Sequence, residues 1–174
     1  KPCKLGGYAP LTGNQVKICF KGEQLFMPMR LNAPLPSLEG ITQWINGEPQ
    51  YDRLNDGPTL VYFWAVSCHI CRKNLPKIQE FRELYVPEGL DLIAIHCPRT
   101  KSDINVEQVK QLINDYAIIE PCGIDNLHKA RKAFENDIWP SYYLFDKEGL
   151  LKRRAAGNTG LALIGPMIKQ MLKR

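Results

Sequence analysis

A single α/β domain with a central mixed sheet flanked by helices is the fold class that this sequence predicts. Three observations carry it. The runs Thr59-Leu60-Val61-Tyr62-Phe63-Trp64-Ala65 and Asp91-Leu92-Ile93-Ala94-Ile95-His96-Cys97 are nearly all apolar, the pattern of strands buried on both faces of a parallel sheet. Between them Ile70, Leu75, Ile78, Phe81, Leu84 and Tyr85 recur at helical spacing across a charged background. A chain of 174 residues is also long enough to bury one continuous core without disulfide staples or a metal.

The elements follow in order. Gly57-Pro58 marks a turn ahead of the first apolar strand. The long helix begins at Cys68-His69-Ile70-Cys71, and Pro76 falls inside it, where a missing N–H and a crowded ring predict a kink. With the second strand, ended by Pro98, residues 59–97 make a β-α-β unit whose crossover should be right-handed. Val106–Tyr116 predicts a helix, Ile118–Ile124 a short strand interrupted by Pro121 and Gly123, and Leu127–Asn136 a third helix. Ser141–Asp146 and Leu150–Ala155 flank the turn Lys147-Glu148-Gly149, and Leu161–Leu172 is amphipathic. The predicted order from Thr59 is β-α-β-α-β-α-β-β-α. Upstream, Ile41–Ile45 and Glu48–Tyr51 around Asn46-Gly47 predict an N-terminal β-hairpin, because Asn-Gly suits a type I′ turn.

Residues 1–28 show no clear periodicity and stand apart from the domain at 29–174. Two readings stay open for them. Residues 1 to about 26 are either a translated leader or a docking extension; in the leader reading Lys21-Gly22-Glu23 is encoded by a purine-rich ribosome-binding sequence just before Met27. An N-terminal peptide of the native protein that begins upstream of Met27 excludes the leader.

Composition narrows the function. With 44% hydrophobic and 24% charged residues the chain is of the soluble globular class. The net charge of +5 is moderate and scattered, apart from Lys152-Arg153-Arg154, so no nucleic-acid partner is expected. No run approaches the roughly 18 apolar residues of a membrane span, and no secretory-signal pattern opens the chain. No membrane partner is expected. Of six cysteines, only Cys68 and Cys71 are closely spaced, against Cys3, Cys19, Cys97 and Cys122. A secreted disulfide scaffold would be smaller and denser in cysteine. No second Cys-x-x-Cys exists and the three histidines lie far apart, so no metal site is expected.

The chemistry gathers on the cysteine pair. A strand that feeds a helix through Cys-x-x-Cys puts the first sulfur at the helix N-terminus, where unpaired amides and the dipole favour a thiolate. Cys68 is therefore expected to attack, and Cys71, one turn on and more sheltered, to resolve the mixed disulfide. A protonated His69 adds positive charge beside Cys68 and tunes the couple; a merely solvent-facing ring leaves it unchanged. Both readings stand. His96 and Cys97 end a strand adjacent to the motif strand, where α/β sites gather, although a buried packing role is favoured for Cys97. Cys122 and His128 are expected to be structural or surface residues.

The segment Tyr62-Phe63-Trp64-Ala65-Val66-Ser67-Cys68-His69-Ile70-Cys71, then Pro76, then Trp139-Pro140-Ser141 before a strand, resembles the thioredoxin superfamily. The N-terminal hairpin, the insertion at 105–124 and the ending Tyr143-Leu144-Phe145-Asp146-Lys147-Glu148-Gly149 resemble its redoxin, TlpA-like branch, and a bacterial intracellular thiol-disulfide oxidoreductase within it. The resemblance implies a thioredoxin-like fold and a Cys68/Cys71 couple that exchanges electrons with protein dithiols or disulfides and with a thiol reductant or oxidant. It implies no cofactor, since the cysteines carry the electrons, and a monomer in the bacterial cytoplasm. It also implies a cis peptide bond before Pro140 and a docking role for Trp139, Pro140 and Trp64, the backbone before Pro140 pairing with substrate in a strand-like manner. Two departures stand out. Thioredoxins carry a buried aspartate six residues before the first cysteine, where this chain has Tyr62, and many extracytoplasmic relatives carry a glutamate three residues after the second, where it has Asn74. Proton transfer at Cys71 then falls to a water chain or to a carboxylate from elsewhere in the fold.

Two rival functions are weighed. A thiol-dependent peroxidase of the peroxiredoxin type needs Pro-x-x-x-Thr/Ser-x-x-Cys, and here the proline is missing and Ala65 replaces the hydroxyl residue. A copper-binding thioredoxin-like chaperone spaces its cysteines by three residues, and here they are spaced by two.

Overall fold

The computed structural model describes residues 29–50 and 56–173. Residues 1–28, on which the leader and extension readings turn, lie outside the described residues, as does Tyr51 at the end of the expected hairpin.

The two apolar runs form the centre of the sheet. β2 (Thr59–Trp64) is buried at every position and β3 (Asp91–His96) at all but its first. They pair in parallel, Val61 opposite Ile93 and Trp64 opposite His96, with α1 (His69–Tyr85) crossing between them. α2 (Val106–Asp115) starts where Asn105 accepts the N–H groups of Glu107 and Gln108, and it leads to β4 (Cys122–Ile124), parallel to β3. After α3 (Lys129–Ala133), β5 (Ser141–Phe145) lies antiparallel on the other side of β2. β6 (Leu151–Ala156) completes the hairpin, and α4 (Gly160–Leu172) closes the fold. With β1 (Gln43–Ile45) on one edge, the mixed sheet runs β1-β4-β3-β2-β5-β6. The order from Thr59 is the predicted one.

Strand alternation divides the interior into two cores. Leu60, Tyr62, Trp64, Leu92, Ala94, Tyr142 and Leu144 pack with Cys68, Cys71, Leu75 and Ile78 and with residues of α2 and α4. Val61, Phe63, Ile93, Ile95, Tyr143 and Phe145 face the other way, toward Leu38, Cys97, Ala130 and Phe134. On that second face the Phe63, Phe134 and Tyr143 rings meet edge to face, with centroids 5.2 to 5.8 Å apart.

Several elements differ from the reading of the sequence. The N-terminal hairpin does not form among the described residues: β1 pairs antiparallel with β4, and 48–50 are not strand. Asn46 and Gly47 do take positive φ, but the Asn46 amide donates to the carbonyls of Ile118 and Glu120, and Pro49 has no N–H to offer a ladder. β4 holds only three residues because Ile118 still bonds back to Ile113 and Pro121 interrupts the approach. α3 is shorter than Leu127–Asn136. Glu135 adopts a left-handed conformation, and bonds from Glu135 to Lys132 and from Asn136 to Arg131 end the helix in a Schellman pattern. A short 3-10 turn at Lys101–Ile104 has no counterpart in that reading, whereas α1 holds Pro76 inside it and reaches Tyr85 as the sequence pattern has it.

Candidate active site

β2 delivers the chain to the cysteine pair, and the helix start organises it. Cys68 is the N-cap of α1, with extended backbone (φ −88°, ψ 97°), and its Sγ accepts the Cys71 N–H at 3.1 Å. The two cysteines are joined as a disulfide, with their Cα atoms 5.2 Å apart. They are 2% and 1% exposed, so in the oxidised state exposure separates them little. What separates them is position: the Cys68 sulfur faces helix-terminal N–H groups, and Cys71 lies inside the first turn.

The other expected residues divide between surface and core. His69 is exposed. The Trp139-Pro140 peptide is cis and Pro140 is buried. Ser141, the next residue, pairs with Phe63, so Pro140 lies at the end of β5 beside the end of β2 that leads to Cys68. Trp139 is partly buried with Arg131 over its ring at 5.4 Å, and the preceding Ile138 is 46% exposed. Trp64 corrects the sequence reading. At 1% exposure, edge to face with His96 at 5.1 Å, it backs the motif from the core and presents no docking surface in this state. Asn74 is buried and donates to the Ile70 carbonyl and toward Asn158.

One carboxylate meets the motif strand and another the motif itself, at positions that spacing does not reveal. Tyr62 donates to Glu120 Oε1 at 2.6 Å, while Glu120 Oε2 pairs with Arg82 of α1 and accepts the Ile119 N–H. Asp103, 1% exposed in the 3-10 turn, reaches the residue before the first cysteine. Its carboxylate accepts the Ser67 N–H at 3.0 Å, the Ser67 hydroxyl at 2.8 Å, and the N–H groups of Arg99 and Thr100. Burial pushes this carboxyl up, but the hydrogen bonds from Arg99, Ser67 and Thr100 outweigh it and hold it below the usual carboxylate range. The pattern Thr100-x-x-Asp103 was the available signal, being that of a capping box.

The end of β3 splits between the two faces. His96 lies with Trp64, and burial pushes it down to about 4. Cys97 packs in the other core, its Sγ 3.2 Å from His128 Nδ1. Cys122 is fully buried, and burial pushes its thiol up to about 12. His128 is therefore not a surface residue standing alone.

A strand feeding a Cys-x-x-Cys disulfide at a helix start, beside a cis-proline strand of the same mixed sheet, defines a thioredoxin-like thiol-disulfide oxidoreductase. Comparison with known proteins agrees. The model of the AhpC/TSA family matches residues 32–154. The chain is similar to thiol-disulfide oxidoreductase YkuV of Bacillus subtilis (strain 168), at 36% identity over 145 residues, which are 83% of this chain and 97% of that protein. It is also similar to thiol-disulfide oxidoreductase ResA of Bacillus thuringiensis (strain Al Hakam), at 30% identity over 55% of this chain and 52% of that one. Among solved structures, that of a thioredoxin-like protein in the oxidized form superposes with a TM-score of 0.74 at 34% identity, covering 83% of this chain and 98% of that one. The chain belongs to the AhpC/TSA family, the redoxin branch of the thioredoxin superfamily.

Proposed function

We propose that Cys68 and Cys71 exchange an electron pair with protein dithiols and disulfides, Cys68 as the attacking sulfur and Cys71 as the resolver. The observation that carries this reading is the Cys68–Cys71 disulfide at the N-terminus of α1, with a backbone N–H already directed at Cys68 Sγ. In the oxidising direction a substrate thiolate attacks Cys68 Sγ, the disulfide breaks, and Cys71 leaves as a thiolate that takes up a proton. A second substrate thiolate then attacks the substrate sulfur of the mixed disulfide and expels Cys68. The substrate loses two electrons as its disulfide forms, and the pair gains them as a dithiol. The reverse sequence reduces a substrate disulfide, and the potentials of the pair and its partner set the direction. A second thiol partner, reductant or oxidant, restores the starting state.

Trp139 and Pro140 shape the docking surface in this reading, and partial exposure of Trp139 beside exposed Ile138 supports it. His69, exposed next to Cys68, tunes the couple; a Cys68 pKa that is the same in His69→Ala removes that role. The central test is capture. Cys71→Ser should accumulate mixed disulfides through Cys68 that a small dithiol releases, and Cys68→Ser should accumulate none. Equal capture by the two variants, or no capture by either, overturns the assignment.

Among the described residues no helix is long and apolar enough to cross a membrane. We place the protein in the bacterial cytoplasm, as a monomer serving redox homeostasis; the unpaired thiols of buried Cys97 and Cys122 suit a reducing compartment. Cell fractionation and size-exclusion chromatography test the two statements.

A further inference from the structure

We propose that Cys97, Asp125 and His128 form a binding site for one divalent transition-metal ion of the zinc type, separate from the redox pair. The fold brings three ligand types together from two loops. Cys97 follows β3, Asp125 follows β4, and His128 caps the start of α3. Cys97 Sγ lies 3.2 Å from His128 Nδ1, and the thiol, carboxylate and imidazole donor atoms all lie within 4.8 Å of one another. Tetrahedral zinc, with bonds of about 2.3 Å to sulfur and about 2.0 to 2.1 Å to nitrogen or oxygen, separates such ligand atoms by roughly 3.5 Å. To take the ion the Cys97–His128 pair opens from 3.2 Å by a few tenths of an ångström, and the donor pairs that lie farther apart, within 4.8 Å, draw in toward the same spacing.

The surroundings suit a cation. Ionised Cys97 and Asp125 balance a divalent charge, and thiolate with imidazole favours zinc-type ions over magnesium or calcium. Asp125 is oriented by the N–H groups of Ala130 at 3.1 Å and Arg131 at 2.8 Å, an outer shell that leaves its carboxylate further lone pairs. The Arg131 guanidinium, the nearby cation, is held by Asp137 and the Asn136 carbonyl. Cys97 and Asp125 are buried while His128 is partly exposed, so a water completes the fourth position from the His128 side. On binding, the Cys97 sulfur forms a bond to the metal and its proton passes to solvent, without change in the oxidation state of either. The Cys68–Cys71 pair packs in the other core, so the site neither uses nor blocks it.

The test uses the full chain with Cys68–Cys71 kept oxidised and Cys3 and Cys19 replaced by Ser, so that none of these thiols competes. Titration with Co²⁺ should give a sulfur-to-cobalt charge-transfer band and tetrahedral d–d bands that saturate at one ion per chain and vanish on adding Zn²⁺. Cys97→Ser should abolish the charge-transfer band, Cys122→Ser should leave it intact, and His128→Ala should weaken binding roughly tenfold or more. Far-UV circular dichroism checks that each variant is folded; His128→Ala, at the half-exposed ligand, carries the test if Cys97→Ser does not fold. Absence of the band in excess Co²⁺ overturns the proposal. So does a band that survives Cys97→Ser, or affinity unchanged in His128→Ala.

Discussion

Asp103 joins the 3-10 turn that precedes α2 to the cysteine motif through one side chain. Its carboxylate is the acceptor for Ser67, Arg99 and Thr100, and Ser67 immediately precedes Cys68. Asp103→Ala strands these donors in a buried site and should cost about 2 to 4 kcal/mol in urea unfolding, with Asp103→Asn recovering part because its amide oxygen still accepts. The pH dependence has a definite sign. Because the folded-state carboxyl sits below its ordinary value of 3.8, its stabilisation is complete above that value and is lost as pH falls through the lower folded-state value. The stability gap between the native chain and Asp103→Asn should therefore be flat from neutral pH to about pH 5 and shrink only below about pH 4. A gap that shrinks already between pH 7 and 5 contradicts the assignment.

At the scale of elements, the Tyr62–Glu120–Arg82 cluster ties α1 to the approach of β4. Arg82 and Glu120 side chains are 11% and 4% exposed, so this ion pair is a buried one. Arg82 lies eleven residues beyond Cys71, three helical turns or about 16 Å along α1. The cluster therefore anchors the far half of the helix, away from the sulfur chemistry. Glu120→Ala leaves the Arg82 charge and the Tyr62 hydroxyl buried without their acceptor and should cost about 3 to 5 kcal/mol, read as a fall in Tm. The midpoint potential of Cys68/Cys71 should change little. A large potential shift with little loss of stability would assign Glu120 to proton transfer instead.

Across the whole molecule, the redox pair and the turn at Gly57 sit beyond opposite ends of β2, a strand of six residues or about 20 Å. Gly57 packs against the turn after α1, where an added Cβ would collide with the Gly89 carbonyl oxygen. Backbone meets backbone there, so no side-chain rotation relieves the clash. Gly57→Ala should lower Tm by several degrees, consistent with about 1 to 3 kcal/mol of strain, while the potential and partner capture at Cys68 stay as in the native chain. The prediction is checked by calorimetry alongside a redox titration.

The sequence by itself determined the order of elements from Thr59, the two-sided burial of β2 and β3, the β5–β6 turn at Gly149 and the placement of Cys68-x-x-Cys71 at a strand-to-helix junction. These rest on periodicity, capping and turn chemistry, which act between residues a few positions apart. Tertiary structure alone decided that β1 pairs with β4 at the sheet edge, that Trp64 is core rather than surface, and which distant groups meet. Ser67 finds Asp103 across 36 positions, Cys97 finds His128 across 31, and Tyr62 finds Glu120 across 58. Such contacts depend on strand register and on which face each crossover covers, and no local pattern encodes either. The lengths of β4 and α3 belong with them, since the bond from Ile118 back to Ile113 and the left-handed turn at Glu135 set where β4 begins and α3 stops.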